Sequence, residues 1–282
     1  LGFLGITYGD IKRDRGRIFI HAETNNSRAI AQAASKVFGV TSSSPVVITE
    51  AKLVSIASTA SKIAEEVMRE GETFGIRARR AGMHEFSSQD MAIRAGDAVL
   101  AKLKHKSVKV DLRNPDHEIF IEARQSETYV FTEIFPGTGG LPLGTQERMV
   151  ALISGGIDSP VATWLMMKRG CEVDFLHVHA FREGREVHGS KIFDLIEALR
   201  QFQFGTKVHL VPFCPFRFKV WEKIPRYELV LFRRFMLRVG EAIAKEEGIK
   251  GLVTGDNLGQ VASQTLENML AAEDQASLPV FR

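Results

Sequence analysis

Apolar and polar positions follow one rhythm in the first half of the chain and another in the second. In residues 46–135, short segments of period-two alternation are interleaved with two segments of helical period. At 73–79, Phe74, Ile76 and Ala78 share one face of a predicted strand, and Arg77 and Arg79 share the other. The pattern predicts a small α+β domain with strands at 46–49, 73–79, 108–112, 118–123 and 129–135 and helices at 53–70 and 87–104.

A shorter block precedes this domain. Residues 17–23 predict a strand, and the alanine-rich residues 27–38 predict a helix that Gly39 can end. Residues 41–45 are serine-rich and finish in a proline, which is typical of a turn between elements. We therefore expect residues 1–45 to form a separate N-terminal segment.

The second half alternates strands with helices. A linker is predicted at 136–147, where five of the first seven residues are proline or glycine. Beyond it, strands are expected at 149–153, 172–179, 207–212 and 252–254, and helices at 160–169, 192–202 and 227–247. This alternation predicts a parallel, doubly wound sheet in residues 148–282.

Composition removes several classes of protein. Apolar residues make up 44% and charged residues 25%, as in globular domains. The sequence contains no run of eighteen apolar residues, so we expect no membrane partner. A basic-then-apolar leader is not seen, so we expect a cytoplasmic protein. The two cysteines, Cys171 and Cys214, cannot build a disulfide framework or a four-cysteine zinc site, and we expect both to be structural.

Basic residues are concentrated in residues 77–109, although the net charge of the chain is only +3. Arg77 and Arg79 share a strand face, and Lys102, Lys104 and Lys106 crowd the end of the following helix. Most charge runs are solvated faces, which is the alternative interpretation. Such a cluster can also hold A-form RNA through its phosphates, so these five residues are the candidates for RNA binding.

The sequence Ser-Gly-Gly-Ile-Asp-Ser at 154–159 lies between a predicted buried strand and a helix that Pro160 begins. Adjacent glycines can adopt positive φ and let backbone N–H groups approach an anion. Asp158 or Ser159 can cap the helix, whose positive end faces the same place. The pattern favours a phosphate-binding loop over an ordinary strand–helix turn.

This loop resembles the S-G-G-x-D-S pyrophosphate loop of the ATP pyrophosphatases, which cleave ATP between its α and β phosphates. Residues 255–268 follow a predicted strand and resemble the T-G-E-x-x-G-Q-V-A-S-Q-T-L motif of the ThiI family of tRNA 4-thiouridine synthetases. Segments 112–116, 139–144 and 166–170 are also similar to that family. Asp256 stands where the family usually has glutamate. The likeness runs from about residue 15 to the last residue.

The resemblance implies an α/β pyrophosphatase domain at 148–282, a THUMP RNA-binding domain at 46–135 and a partial ferredoxin-like segment at 1–45. It implies ATP and Mg²⁺ as cofactors. The leaving pyrophosphate would be held by Ser154, Gly155, Gly156, Asp158 and Ser159, with Asp158 as the catalytic carboxylate. The rest of ATP would be bound by Leu152, Ile153, His177, Val178, Arg233, Gly255 and Gln264.

Two further features have competing interpretations. His177 and His179 share one face of a predicted strand and could be a metal pair or two residues lining a cleft. Because no carboxylate or cysteine lies at ligand spacing, we assign no protein metal site. Arg233 lies on the polar face of a helix and is singled out only by the family resemblance.

The sequence therefore predicts an ATP-dependent tRNA sulfurtransferase that adenylates a uridine, releases AMP and forms 4-thiouridine. The resemblance implies tRNA and a persulfide-bearing cysteine desulfurase as partners, a homodimer, and a link to thiamine synthesis. The alternatives are an RNA-binding protein with a vestigial nucleotide site and another adenylating ligase with the same loop. Family members continue past Arg282 with an Asp–Lys pair and a sulfur-carrying cysteine. We therefore expect a pyrophosphatase domain that is truncated at its C-terminal end and activates uridine without completing sulfur transfer.

Overall fold

The chain forms two compact units in the computed structural model, which describes every residue except 15, 23, 221–226, 262–263 and 275. Unit 1 comprises Leu1–Ser35 and Ser42–Pro136, and unit 2 comprises Lys36–Thr41 and Gly137–Arg282. The sequence pattern assigns residues 36–41 to the N-terminal segment, but the structure groups them with unit 2. The reason is Phe38, which is buried in the core of unit 2 beside Trp164 and Phe202.

Unit 1 begins with an antiparallel hairpin and a helix, followed by a mixed sheet with two helices. Its elements are β1 (Ile11–Asp14), β2 (Arg17–Ile20), α1 (Ser27–Ser35), β3 (Ser42–Ser43), β4 (Val47–Glu50), α2 (Leu53–Val67), β5 (Thr73–Arg80), α3 (Ser88–Lys102), β6 (Lys109–Val110), β7 (His117–Ala123), β8 (Glu127–Phe131) and β9 (Phe135–Pro136). The main sheet has the order β4-β8-β7-β5-β6, and β5 is parallel to both of its neighbours. The predicted α+β architecture is confirmed, but the sheet is mixed rather than antiparallel.

The core of unit 1 lies between this sheet and the helices α2 and α3. Phe74 and Ile119 from the strands meet Ile56 and Met91 from the helices, and all four side chains are fully buried. Helix α3 begins at a capping box in which the Ser87 side chain and the carboxylate of Asp90 bond each other's backbone. This capping box fixes where α3 begins. The apolar face of α3 packs against the sheet, as the helical period of its sequence predicts.

Unit 2 is a parallel sheet with helices on both faces. Its elements are β10 (Met149–Leu152), α4 (Asp158–Lys168), β11 (Val173–His179), α5 (Lys191–Arg200), β12 (Val208–Pro212), α6 (Cys214–Val220), α7 (Glu228–Glu247), β13 (Gly251–Val253), α8 (Leu266–Glu273) and β14 (Val280–Phe281). The strand order is β12-β11-β10-β13-β14, and every pairing is parallel. Helices α4 and α5 contribute to the core on one face, and α7 and α8 to the core on the other. The predicted doubly wound sheet is confirmed.

The strand order fixes where a ligand can bind. From β10 the chain moves outward through β11 and β12, and then returns to the other side of β10 for β13 and β14. The loops that follow β10 and β13 therefore leave neighbouring strands at the carboxyl edge of the sheet. In open α/β folds this reversal of strand order opens a crevice at that edge, and ligands bind there.

Several short elements are not predicted by the sequence pattern. The predicted elements do not include strand β1, the two-residue strands β3 and β14, or helices α6 and α8, and strand β9 begins at the last residue of a predicted strand. Segments this short carry too few positions to show a period. Residue 23, the predicted end of the first strand, lies outside the described residues. Among the described helices, none is both long and apolar enough to cross a membrane.

Candidate functional site

The loop between β10 and α4 is open on its outer side. Ser154, Gly155 and Gly156 are exposed, and a Cβ atom on either glycine would come no closer than 3.6 Å to any atom of the protein beyond its chain neighbours. Neither glycine has positive φ, so the loop does not use the left-handed backbone that glycine allows. The fold itself does not require glycine at these two positions. The Gly156 N–H makes a long hydrogen bond of 3.4 Å to Ser154 Oγ, and no side chain of either glycine covers the backbone before α4.

Two serine hydroxyls hold this loop from within. The Ser154 backbone N–H donates to Ser159 Oγ at 2.9 Å, and the two hydroxyl oxygens are 3.1 Å apart. Ser159 is buried in the first turn of α4. The residue at the N-cap is Ile157, which makes no side-chain cap, so the predicted capping by Asp158 or Ser159 is wrong. Ser159 instead fixes the shape of the loop, whereas the Ser154 side chain remains at the surface.

The loop after β13 lies directly against the start of α4. A Cβ on Gly255 would be 2.3 Å from the backbone nitrogen of Ser159, so only glycine allows this approach. Gln260 Nε2 donates to Asp158 Oδ2 at 3.1 Å across the same junction. The structure thus brings together the two motifs that the sequence places about a hundred residues apart. Residues 262–263 of the second motif lie outside the described residues.

An ion pair at the carboxyl edge of the sheet includes Asp256, which the sequence did not assign to the ATP site. Arg233 Nη2, on α7, lies 3.1 Å from Asp256 Oδ1. With its amide turned to satisfy both atoms, buried Gln264 donates to the Asn257 carbonyl at 2.7 Å and accepts from Arg233 Nη2 at 3.2 Å. Asp256 therefore orients Arg233, and no feature of the sequence by itself indicates this pairing.

A small cavity adjoins this ion pair. It is lined in part by Leu152, Arg233, Thr254 and Asp256. The hydroxyl of Thr254 is buried and bonds to no atom that the structure describes. Leu152 thus reaches the candidate site from the end of β10, on the side that faces α7.

The end of β11 contributes two histidines on one face, as the alternation predicts. His177 is half-buried and its Nδ1 lies 2.9 Å from the carbonyl oxygen of Ile153. Burial lowers the pKa of His177, and this outweighs the opposing effect of the Ile153 carbonyl. The neutral ring then donates from Nδ1 to that carbonyl, which leaves Nε2 as an acceptor. Val178 is half-buried and pairs with Val211 of β12.

His179 is 5% exposed, and its Nδ1 has no hydrogen-bond partner within the described residues. No group of three histidine, cysteine, aspartate or glutamate residues that could hold a metal occurs in the part of the chain that the structure describes. The two histidines therefore lack the further protein ligands that a structural metal site requires.

The five basic residues proposed for RNA binding fall into two groups. Arg77 Nε bonds Glu118 Oε1 at 2.7 Å, and Lys102 Nζ lies 3.0 Å from Glu65 Oε2. Lys106 Nζ donates to the carbonyl oxygens of Glu65 and Met68 at the end of α2, at 2.9 and 2.7 Å. Three of the five thus take part in holding unit 1 together.

The other two, Arg79 and Lys104, are exposed, and their side chains form no hydrogen bond or ion pair with any residue that the structure describes. They are the members of the cluster whose charge is fully available to a polyanion.

The cysteines differ from each other. Cys171 is buried in the core of unit 2, and burial raises the pKa of its thiol. Cys214 is exposed as the first residue of α6. The structural role predicted for both cysteines therefore fits Cys171, whereas Cys214 is not a core residue.

Comparison with known proteins agrees with this arrangement. The family model described as "Thiamine biosynthesis protein (ThiI)" matches residues 144–282, and that of the THUMP domain matches residues 50–133. A solved structure described as a 4-thiouridine synthetase–RNA complex with bound ATP superimposes with a TM-score of 0.82 at 30% identity, covering 96% of this chain and 71% of that one. A structure from Pyrococcus horikoshii gives a TM-score of 0.75 at 28% identity, covering 99% of this chain and 82% of that one.

Curated relatives give the same answer. A probable tRNA sulfurtransferase of Methanosarcina mazei is 43% identical over 281 residues, which are 98% of this chain and 69% of the relative. One from Caldanaerobacter subterraneus is 37% identical over 277 residues, covering 96% of this chain and 70% of the relative. The chain therefore belongs to the ThiI family of tRNA sulfurtransferases.

Proposed function

We propose that this chain uses ATP to activate the C4 oxygen of a uridine in tRNA and releases pyrophosphate, as the first half of 4-thiouridine formation. The observation that carries the proposal is the junction between the two loops. The open Ser-Gly-Gly loop, the start of α4 and the loop after β13 meet at one point of the carboxyl edge. A phosphate chain bound there meets uncovered N–H groups and the positive end of a helix.

The pyrophosphate portion of ATP fits the first of these loops. The N–H groups around Gly155 and Gly156 and the hydroxyl of Ser154 supply neutral donors, and Ser159 keeps the loop in shape. Asp158 engages one carboxylate oxygen with Gln260. One carboxylate together with substrate phosphates is a donor set that suits Mg²⁺, so Asp158 is the residue that would hold it. When bound, the ion neutralises charge on the leaving group.

The adenosine portion would lie along the neighbouring strand ends. Leu152 ends β10 and Ile153 follows it directly, His177 and Val178 lie near the end of β11, and Gln264 is fixed beside Arg233. Because Asp256 already balances the charge of Arg233, we assign that arginine to oriented hydrogen bonding with ribose or phosphate rather than to net charge neutralisation. We assign Gly255 to the packing of the two loops, which shapes the site.

Unit 1 would hold the tRNA. The THUMP match and the exposed Arg79 and Lys104 support this assignment. We give Arg77, Lys102 and Lys106 a smaller share of the phosphate contacts, since each is engaged within unit 1. Contacts of this kind grip the RNA backbone without reading its sequence.

The reaction then has two halves. The uridine oxygen attacks the α phosphorus of ATP, the bond to the β-phosphate oxygen breaks, and pyrophosphate leaves onto the loop at 154–159. The terminal sulfur of a persulfide, carried by a cysteine desulfurase, then attacks C4 and displaces AMP. A second thiol, supplied as a co-reactant, breaks the S–S bond, so that the sulfur stays on the uridine and a disulfide forms. We expect this chemistry in the cytoplasm, where tRNA and ATP are both present.

The test is to incubate the chain with Mg-ATP, with and without tRNA, and to measure pyrophosphate, the product of the first half of the reaction. Asp158→Asn should lower tRNA-dependent pyrophosphate release by about 100-fold, because charge stabilisation at the phosphates is lost. Its affinity for tRNA should stay within about twofold. Asp194→Asn, which removes an exposed carboxylate from the first turn of α5, serves as the matched control and should behave as wild type.

Other outcomes separate the alternatives. Full activity of Asp158→Asn would remove the loop from the proposed mechanism. Binding of tRNA by the wild-type chain without any pyrophosphate release would favour an RNA-binding protein with a vestigial nucleotide site. Pyrophosphate released equally well without tRNA would favour another adenylating ligase.

A further inference from the structure

The carboxyl edge of the unit 2 sheet carries a second group of exposed cations, beyond β11 and β12. We call this group the rim. It consists of Arg182 and Lys191 in the connection between β11 and α5, and Arg217, Phe218 and Lys219 on α6. All five side chains are exposed, and α6 contains no acidic residue.

The opposite edge of the same sheet differs from the rim, because cations there are paired with carboxylates. At the amino ends of the strands, three cations are each paired with a carboxylate: Arg148 with Asp174, Lys207 with Glu247, and Lys250 with Glu147. At the rim, Arg182, Lys191 and Lys219 form no ion pair with any residue in the described ranges. Positive charge is therefore left without a protein counterion at the carboxyl edge, where the candidate site lies.

Helix α6 carries two phenylalanines, of which one anchors the helix and the other is exposed. Phe216 is buried and contacts Phe232 and Phe235 of α7, with ring centroids 5.2 and 5.4 Å apart. Phe218, two residues later, is 79% exposed. The ring is thus presented to solvent between Arg217 and Lys219 on a helix that is anchored from beneath.

The distance between α6 and the pyrophosphate loop indicates which polyanion α6 would bind, a nucleoside triphosphate or a nucleic-acid strand. The backbone N–H of Phe213 donates to the carbonyl of His179 at 2.8 Å, so α6 starts at the carboxyl end of β11. Neighbouring strands are about 4.8 Å apart, which puts the start of α6 about 10 Å from the loop after β10. A triphosphate bound at that loop has little need of the cations of α6, whereas Lys191 lies closer to it, because the Ile192 side chain would be 4.0 Å from a Cβ on Gly155. A nucleic-acid strand that delivers a base to the loop must cross this edge.

We propose that the rim is an RNA-binding surface on the catalytic unit. In this proposal, which rests on the function proposed above, the rim holds the nucleotides next to the reacting uridine. Arg182 and Lys219 contact phosphates, and the ring of Phe218 stacks on an unpaired base. Exposed aromatic rings among cations are what single-stranded nucleic acid needs, because every base offers a face for stacking.

The test measures tRNA affinity as a function of salt concentration for two rim variants of the whole chain. The double variant Arg182→Gln/Lys219→Gln should lower the slope of log K against log salt by about 1.4 to 1.8, the value for two lost phosphate contacts. Phe218→Ala should weaken binding by about 5- to 150-fold, the range measured for loss of one base stack. Neither variant should change the affinity for ATP measured without RNA.

Two control variants remove the same side-chain types at the amino ends of the strands. Lys250→Gln removes an exposed cation, and Phe204→Ala removes a ring that is 62% exposed in the turn before β12. Both should bind tRNA as the wild type does. Thermal unfolding of all variants should stay close to that of the wild type, because the altered side chains lie at the surface.

The proposal is overturned if the rim variants bind tRNA as the controls do, or if the controls are equally impaired. It is also overturned if the rim variants lose ATP affinity in step with tRNA affinity, since the rim would then serve the triphosphate. Failure of the wild-type chain to release pyrophosphate from ATP in the presence of tRNA would contradict the proposed function, yet it would leave these binding measurements readable. The two proposals can therefore fail separately.

Discussion

At the residue scale, two glycines of the candidate site differ in what the fold demands of them. A Cβ on Gly255 would collide with the backbone of Asp158 and Ser159, whereas a Cβ on Gly156 would make only an ordinary contact, 3.6 Å from Ser154 Oγ. The first is a packing requirement of the protein. The second has no such cause in the fold, and the proposed phosphate ligand explains it.

We predict that Gly255→Ala destabilises unit 2 by at least about 1–3 kcal/mol, because the new methyl group must push the start of α4 away. Gly156→Ala should leave stability within about 0.5 kcal/mol, since its methyl group meets nothing closer than 3.6 Å. It should nevertheless weaken ATP binding. Chemical denaturation and ATP titration of both variants check this, and equal stability losses would contradict it.

The pH dependence of stability should contain a contribution from His177. Its folded-state pKa lies below the ordinary value of 6.5 because the ring is buried, so the unfolded chain binds the proton more readily. This contribution to stability is fully present above about pH 6.5 and is lost as the pH falls toward the lowered pKa.

We therefore predict that His177→Gln, which cannot titrate, loses less stability than the wild type between pH 7.5 and pH 5. The measurement is the denaturation midpoint of each protein across that range. Parallel curves for the two proteins would show that His177 does not titrate differently in the folded state.

At the scale of single elements, the end of α2 shows how a basic residue can belong to the fold rather than to a ligand surface. Lys106 reaches across from the turn after α3 and places its ammonium group on two carbonyl oxygens at the last turn of α2. A cation at this end also interacts favourably with the helix dipole. Lys104, two residues earlier, is exposed and makes neither contact.

Lys106→Met should lower the stability of unit 1 by about 1–3 kcal/mol, the usual value for lost hydrogen bonds from a charged group. Lys104→Met should change stability by less than about 0.5 kcal/mol. It should instead reduce the salt dependence of tRNA binding by about 0.9 in log–log slope, the value for one phosphate. If Lys106→Met altered only RNA binding, the structural role assigned to it would be wrong.

At the scale of the whole molecule, the two units are not consecutive in the chain. Residues 36–41 interrupt unit 1 in the sequence but belong to unit 2, where Phe38 is part of the core. The Phe38 ring lies 5.2 Å from that of Phe202 and 5.6 Å from that of Trp164, centroid to centroid. The stability of unit 2 therefore depends on residues that precede most of unit 1 in sequence.

Phe38→Ala should destabilise unit 2 by about 3–5 kcal/mol, as expected for loss of a buried ring, and leave unit 1 unchanged. Hydrogen exchange resolved along the chain distinguishes the two units. Val37→Ala, at a neighbouring exposed position, is the control and should have little effect on either. Faster exchange in α2 and α3 instead of in α4 and α5 would contradict the assignment of this segment to unit 2.

The sequence by itself determined the classes of element and the nature of the two units. Alternation at 73–79 and helical period at 87–104 report which face of a segment is buried, and this information is local. The loop at 154–159 could also be predicted, because a strand, two glycines and a helix with proline in its first turn are consecutive in the chain. The same holds for the family motif at 255–268.

Tertiary structure alone decided what lies across from each of these segments. Arg233 pairs with Asp256, Gly255 packs on Ser159, and Phe38 enters the core of unit 2. The period of a segment states that one face is covered, but it contains no information about the element that covers it. That choice depends on strand order and on the packing of distant side chains, which are set only when the whole sheet has formed.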